Sequence, residues 1–198
     1  MNDTRAAQIQ WATWLLLNKG RGINYSEGPE RMNAVGVWPP KFPISLDCSS
    51  FCTLVAWLAN GNDPNGSGFN HTGYTGTMLQ HCVHIPQDKV IRGDYVVYGP
   101  GTGDHVAFII EVHGKDILTI SMGQQGDPEY VWINQPSIPS RGYPVDGRQP
   151  QTFLANHTDT TKKPRTPLDL HPIKKILTAP LAFLNQGIQK MIALTKKP

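Results

Sequence analysis

Apolar residues keep helical spacing early in the chain and change to a period of two after residue 93. Ile9, Trp11 or Ala12, Leu15 and Leu16 recur at three- and four-residue steps, which predicts an amphipathic helix over 5–18. Lys19-Gly20 ends it, glycine being the usual C-terminal breaker. Residues 20–46 are rich in Gly and Pro and read as loop. Phe51, Val55 and Leu58 or Ala59 form the next apolar face, over 48–60, with Asp47 placed as its N-cap and Asn60-Gly61 closing it. Residues 61–76 read as a long Asn-, Gly- and Asp-rich loop, followed by a short helix over 75–82.

Asp94 to Tyr98 then reads as a strand, turned at Gly99-Pro100-Gly101. His105 to Val112 is a near-continuous apolar strand, and Gly114-Lys115 suits a two-residue hairpin turn with Gly first. Ile117 to Met122 is its partner, and 129–134 add one more strand. Helices followed by antiparallel strands define an α+β layout, with N-terminal helices packed on a small antiparallel sheet. The expected body spans 1–156, a Lys- and Pro-containing linker 157–167, and a basic amphipathic tail 168–198. In the tail Ile173, Ile176, Leu177, Leu181, Leu184 and Ile188 share a helical stripe that Pro180 should kink.

Charge sharpens this division. The net charge is +3, but residues 1–156 hold 10 Lys and Arg against 13 Asp and Glu. Residues 157–198 hold 8 against 2, so an acidic body carries a basic tail. Such a balance argues against a nucleic-acid binder, which shows a basic stripe across its fold. Three readings of this tail stay open: an amphipathic helix packed on the body, which is the default; contact with an anionic wall polymer or a membrane surface; and docking to a partner protein. No run reaches the ~18 apolar residues of a membrane span. Trp11 to Leu17 is too short for a secretory core and lacks a cleavage site after it, so synthesis in the cytoplasm without a signal peptide is expected.

Three cysteines do not make a disulfide framework. Cys48 falls at the predicted first turn of a helix, where unpaired N–H groups and the helix dipole favour the thiolate. Cys52, one turn further in, reads as a core thiol. His105 opens a strand after Gly103-Asp104, so a thiol at a helix start and an imidazole at a sheet edge make a cysteine–histidine arrangement. The imidazole needs a polar group to orient it. A two-residue turn at Gly114-Lys115 places Gln124 opposite His105, whereas a three-residue turn presents Ser121; Gln124 is the preferred third residue. Cys48, Cys52, Cys82 and His84 match no common zinc spacing, and no metal or other cofactor is expected. Asp63-x-Asn65-x-Ser67 imitates half a calcium loop, but Tyr74 stands where the bidentate Glu belongs. Trp38, in a Pro-rich loop, is the candidate substrate wall.

Leu46-Asp47-Cys48-Ser49-Ser50-Phe51, Arg92-Gly93-Asp94-Tyr95-Val96-Val97-Tyr98 and Asp104-His105-Val106-Ala107-Phe108-Ile109-Ile110 together resemble the motifs of the NlpC-type cysteine peptidases. Runs such as Tyr25-Ser26-Glu27-Gly28-Pro29 and Gly73-Tyr74-Thr75-Gly76 are most similar to peptidase domains of actinobacterial phage lysins. The resemblance covers about residues 5–135 and implies a papain-like fold that cuts an amide bond in peptidoglycan stem peptides. It implies Cys48 as nucleophile, His105 as base and then acid, and Tyr25 as an oxyanion donor beside the helix cap Asp47. The setting it implies is an endolysin or virion-associated lysin acting on the bacterial wall. Two departures stand out: Ser50 replaces the family's Gly, and Ser121-Met122-Gly123 stands where those phage domains carry Ser-His-Gly. Met122 cannot orient an imidazole by a strong hydrogen bond. Two rival functions therefore stay open: an amidase or acyltransferase on another amide or lipid, and a non-catalytic wall-binding or tail structural protein.

Overall fold

The computed structural model describes residues 3–123, 127–149, 151–157 and 162–167. One compact unit runs to Thr166, past residue 156, and the segment from Pro167 is a second unit. The expected tail helix and its partners lie outside the described residues.

Helix α1 spans Asp3–Leu17 and α2 spans Cys48–Leu58, with a short α3 over Thr75–His81. The six-stranded antiparallel sheet holds β3 (Val83–Ile85), β4 (Tyr95–Tyr98), β5 (His105–His113), β6 (Asp116–Met122), β7 (Pro128–Trp132) and β8 (Gln151–Ala155). Their order is β3-β8-β4-β5-β6-β7, so the arrangement is α+β as expected. Within the stretch expected to be loop, β1 (Ile23–Tyr25) and β2 (Ile44–Leu46) pair in parallel. Three-residue strands are too short to show a period of two, which is why the sequence hides them. β8 is hidden for a related reason. It lies between β3 and β4 and has no polar face to alternate.

Strand parity sorts the core into two faces. Val106, Phe108 and Ile110 of β5 join Leu118, Ile120 and Met122 of β6 against Phe51, Cys52 and Val55 of α2. Tyr98, Ala107, Ile109 and Ile117 build a smaller cluster on the opposite face. Helix α1 is buried on more than one side, since Thr4, Gln8 and Thr13 are buried along with Ala7, Trp11 and Leu15. The loop between β1 and β2 and the segment 162–166 cover its outer side: Trp14 stacks on Phe42, and Trp11 meets Trp38 edge-on.

Part of the expected linker is built into this body. The Arg165 guanidinium lies over the rings of Trp38 and Trp57 at 5.0 and 4.4 Å, and Trp11 Nε1 donates to the Arg165 carbonyl at 2.8 Å. Two partly desolvated cation–ring contacts set the scale, so Arg165→Ala is expected to cost about 1–2 kcal/mol, read as a lower urea midpoint. An unchanged midpoint would mean that 162–166 hold on by their backbone alone.

Candidate active site

Cys48 is the first residue of α2, and its placement follows from the cap. Asp47 Oδ1 accepts from the Ser50 amide at 2.6 Å, while the Asp47 amide donates to Ser50 Oγ at 2.7 Å. This reciprocal box satisfies two donors at the helix start. Ser50 thus works as part of the cap. Losing the Asp47 carboxylate should cost about 1–2 kcal/mol, measurable in Asp47→Ala by chemical unfolding.

Cys48 is buried, with 8% of the residue exposed. Thr75 Oγ1 lies 4.0 Å from Cys48 Sγ. Burial pushes the thiol above its ordinary range, and Asp47 adds to this; hydrogen bonds from the backbone of Val106 and Ser49 and from Thr75 pull the other way. Tyr25 is near enough for the Cys48 charge to act on its phenol, but its hydroxyl donates to Glu27 Oε1 at 2.7 Å. Arg31 completes the surroundings, with Nη1 3.1 Å from Asp47 Oδ2.

The His105 side chain turns away from this thiol, although the backbone of the next residue, Val106, bonds to it. It alternates with Val106, whose side chain joins the cluster that holds Cys48, so the imidazole points to the opposite face of β5. There it packs 5.8 Å from the Tyr98 ring, and its Nε2 is 2.6 Å from Ser121 Oγ. No hydrogen bond joins His105 to Cys48 among the described residues. Burial, with the Arg148 charge, holds the imidazole down to about 3, so it is neutral at physiological pH.

The structure places Ser121 beside His105 for a reason the turn alone does not give. The Gly114-Lys115 turn has two residues, as expected, and His113 pairs with Asp116. A bulge then shifts the register between Ile109 and Glu111, so that Ile109 faces Thr119 and Phe108 faces Ile120. One inserted residue exchanges the faces of everything beyond it. The bulged Ile110 carbonyl accepts from Arg92 Nε at 2.8 Å. Gln124, the preferred third residue, lies outside the described residues.

Ser121 also lines a cleft of about 380 Å³ on that outer face, with Glu129, Val131, Pro144, Asp146 and Arg148. Trp38, the candidate wall, meets Trp11 edge-on and lies under the Arg165 guanidinium. The half calcium loop closes on itself: Asp63 accepts from the amides of Asn65, Ser67 and Phe69. Among the described residues no group of three or more His, Cys, Asp or Glu could hold a metal, and no helix is long and apolar enough to cross a membrane.

The neutral state of His105 carries a pH consequence. An unfolded imidazole takes up its proton near pH 6.5, whereas the folded one refuses it until about pH 3. Its contribution is complete above the unfolded value and falls as pH drops between the two, by at most about 1.4 kcal/mol per pH unit. His105→Gln should flatten this slope when unfolding is compared at about pH 7 and about pH 5. Parallel slopes in both proteins would place the imidazole in water.

No family model matches the sequence, and no curated protein matches it. Among solved structures, the chain is similar to the NlpC/p60 domain of the peptidoglycan hydrolase SagA, at 23% identity and a TM-score of 0.41, over 64% of this chain and 86% of that one. It is similar to the peptidoglycan hydrolase RipB of Mycobacterium tuberculosis at 22% and 0.44, over 75% and 63% of the two chains. RipD of the same organism, described as a non-catalytic NlpC/p60 domain protein adapted to peptidoglycan binding, matches at 13% and 0.45, over 78% and 98%. Likeness of this degree concerns the fold alone.

Proposed function

We propose that this protein is a peptidoglycan hydrolase that cuts an amide bond of cell-wall stem peptides through Cys48. The observation that carries the reading is the thiol on the first residue of a capped, buried helix, with Thr75 Oγ1 4.0 Å from the sulfur. The choice of substrate rests on the three sequence motifs around Cys48, Asp94 and His105. Release by a phage or carriage on a virion is the setting those motifs suit. Contact of the basic tail with an anionic wall polymer or membrane surface belongs to the same proposal.

In this reading Cys48 Sγ bonds to the carbonyl carbon and its proton passes to His105. The amine then leaves with that proton, and water releases the acyl group from sulfur. The Cys48 amide and the Tyr25 hydroxyl are the oxyanion donors, once Tyr25 gives up Glu27. His105 must also change partners. Reaching the thiol requires the first residue of β5 to turn over, and the turn before it has positive φ at Gly99, Gly101 and Gly103, where such a change is absorbed at least cost.

A second reading has its own observation. Among the described residues no imidazole is bonded to the thiol, and burial holds it mainly protonated, which suits a domain that grips the wall peptide without cutting it. One experiment separates the two. Purified peptidoglycan is incubated with wild type and with Cys48→Ala, the fragments are read by mass spectrometry, and bound protein is measured by co-sedimentation. New amine and carboxyl ends with wild type alone support hydrolysis. Co-sedimentation without new ends supports binding, and equal cleavage by both proteins removes Cys48 from its role.

A further inference from the structure

Arg31 lies in a short turn of helix, Pro29–Met32, between β1 and β2. Its guanidinium reaches two separate segments, the start of α2 and the loop before α3. Nη1 is 3.1 Å from Asp47 Oδ2 and 3.4 Å from Ser49 Oγ, and Nη2 donates to the Gly73 carbonyl at 2.5 Å. Asp47 is the cap of α2, Cys48 follows it, and Gly73 lies two residues before Thr75. The same Asp47 carboxylate also accepts from Ser49 Oγ at 2.9 Å and from the Ser50 amide. Its negative charge therefore sits next to the thiol it helps to position.

We propose that Arg31 is a positioning residue for Cys48, fixing the Asp47 cap and the Thr75 segment about the thiol and offsetting the charge of the capping carboxylate. A carboxylate is the best acceptor for the helix start, but it repels a thiolate. A planar guanidinium against its outer oxygen removes much of that repulsion and leaves the inner oxygen free to cap. The arginine is 19% exposed at its side chain and the aspartate 13%, so solvent screens this pair less than a surface one. The inference rests on Cys48 being the working thiol. It needs no wall substrate for its test, so its failure and the failure of the hydrolase reading are separate results.

The test is the titration of Cys48 in the full chain. Iodoacetamide labelling is followed between about pH 6 and pH 11, and peptide mapping separates Cys48 from Cys52 and Cys82. Arg31→Gln keeps a hydrogen-bond donor without the charge and should raise the Cys48 titration midpoint by about one unit. Arg31→Lys keeps the charge and should restore a midpoint close to wild type. A residue that only held the loops together would lower the unfolding midpoint and leave the thiol where it was. The proposal is overturned if Arg31→Gln titrates like wild type, or if Arg31→Lys moves the thiol as far as Arg31→Gln does.

Discussion

Cys48→Ala should lower wall cleavage by about a thousandfold or more while leaving the fold in place. The size follows from the mechanism: without the sulfur there is no covalent step, and the remaining amide donors and binding contacts supply only a residual rate. The fold should tolerate the change because the Asp47–Ser50 cap is made without the thiol, and only one heavy atom is lost at a site that keeps some exposure. Cys52→Ala is the matching control. Its thiol is fully buried one turn further in, and burial holds it well above the ordinary range. It should lose about 1 kcal/mol of stability and no activity per folded molecule. Because burial also raises the Cys48 thiol, the wild-type rate should climb with pH through and above neutrality. Initial rates on solubilised stem peptides, beside thermal melts of all three proteins, decide the matter. A Cys48→Ala protein that melts normally and cleaves at the wild-type rate would falsify the nucleophile assignment.

Which parts of this arrangement the sequence makes legible depends on the length and regularity of the signal. Helix α2 and its cap are readable because Asp47, Ser50 and the apolar residues at 51, 55 and 58 all point the same way. The β5–β6 hairpin is readable from its run of apolar residues and its Gly-Lys turn. The site is less so, and the difference turns on one residue. Ile110 carries no mark of a bulge, since it is as apolar as Phe108 and Ile109 before it, yet its insertion decides which side of β6 meets His105. Reading the hairpin without it places Gln124 opposite His105; with it, Ser121 takes the imidazole. Arg92 donates to the Ile110 carbonyl from a segment 18 residues away. Arg31 was hidden for the same reason: its three contacts lie 16 to 42 residues away, beyond any local pattern. Arg165 looks like linker charge until Trp38 and Trp57 are folded around it.

Asp94→Ala should be the most damaging substitution to stability, at about 3–5 kcal/mol. Asp94 is 1% exposed and opens the approach to β4. Its Oδ1 accepts from Arg5 Nη1 at 2.7 Å and from the Asn156 amide at 3.0 Å, and its Oδ2 accepts from the Ile91 amide at 2.9 Å. Arg5 Nη2 in turn donates to the Asn156 carbonyl at 2.6 Å, and Asn156 Nδ2 donates to Gln8 Oε1 and to the Gly93 carbonyl. One carboxylate thus ties α1 to the start of β4 and the end of β8, three parts distant in sequence. Alanine leaves the Arg5 charge without this carboxylate and two buried amides without their acceptor, and unmet buried donors cost more than the bonds themselves contribute. Asp94→Asn keeps the shape but turns one acceptor into a donor facing donors, so it should recover little of the loss. Against a total stability of roughly 5–15 kcal/mol, either change should shift the urea midpoint far toward zero. A double-mutant cycle with Arg5→Ala tests the cause. Residues sharing one network should couple by about 1–3 kcal/mol, whereas additive losses would show that Asp94 acts through its backbone partners alone.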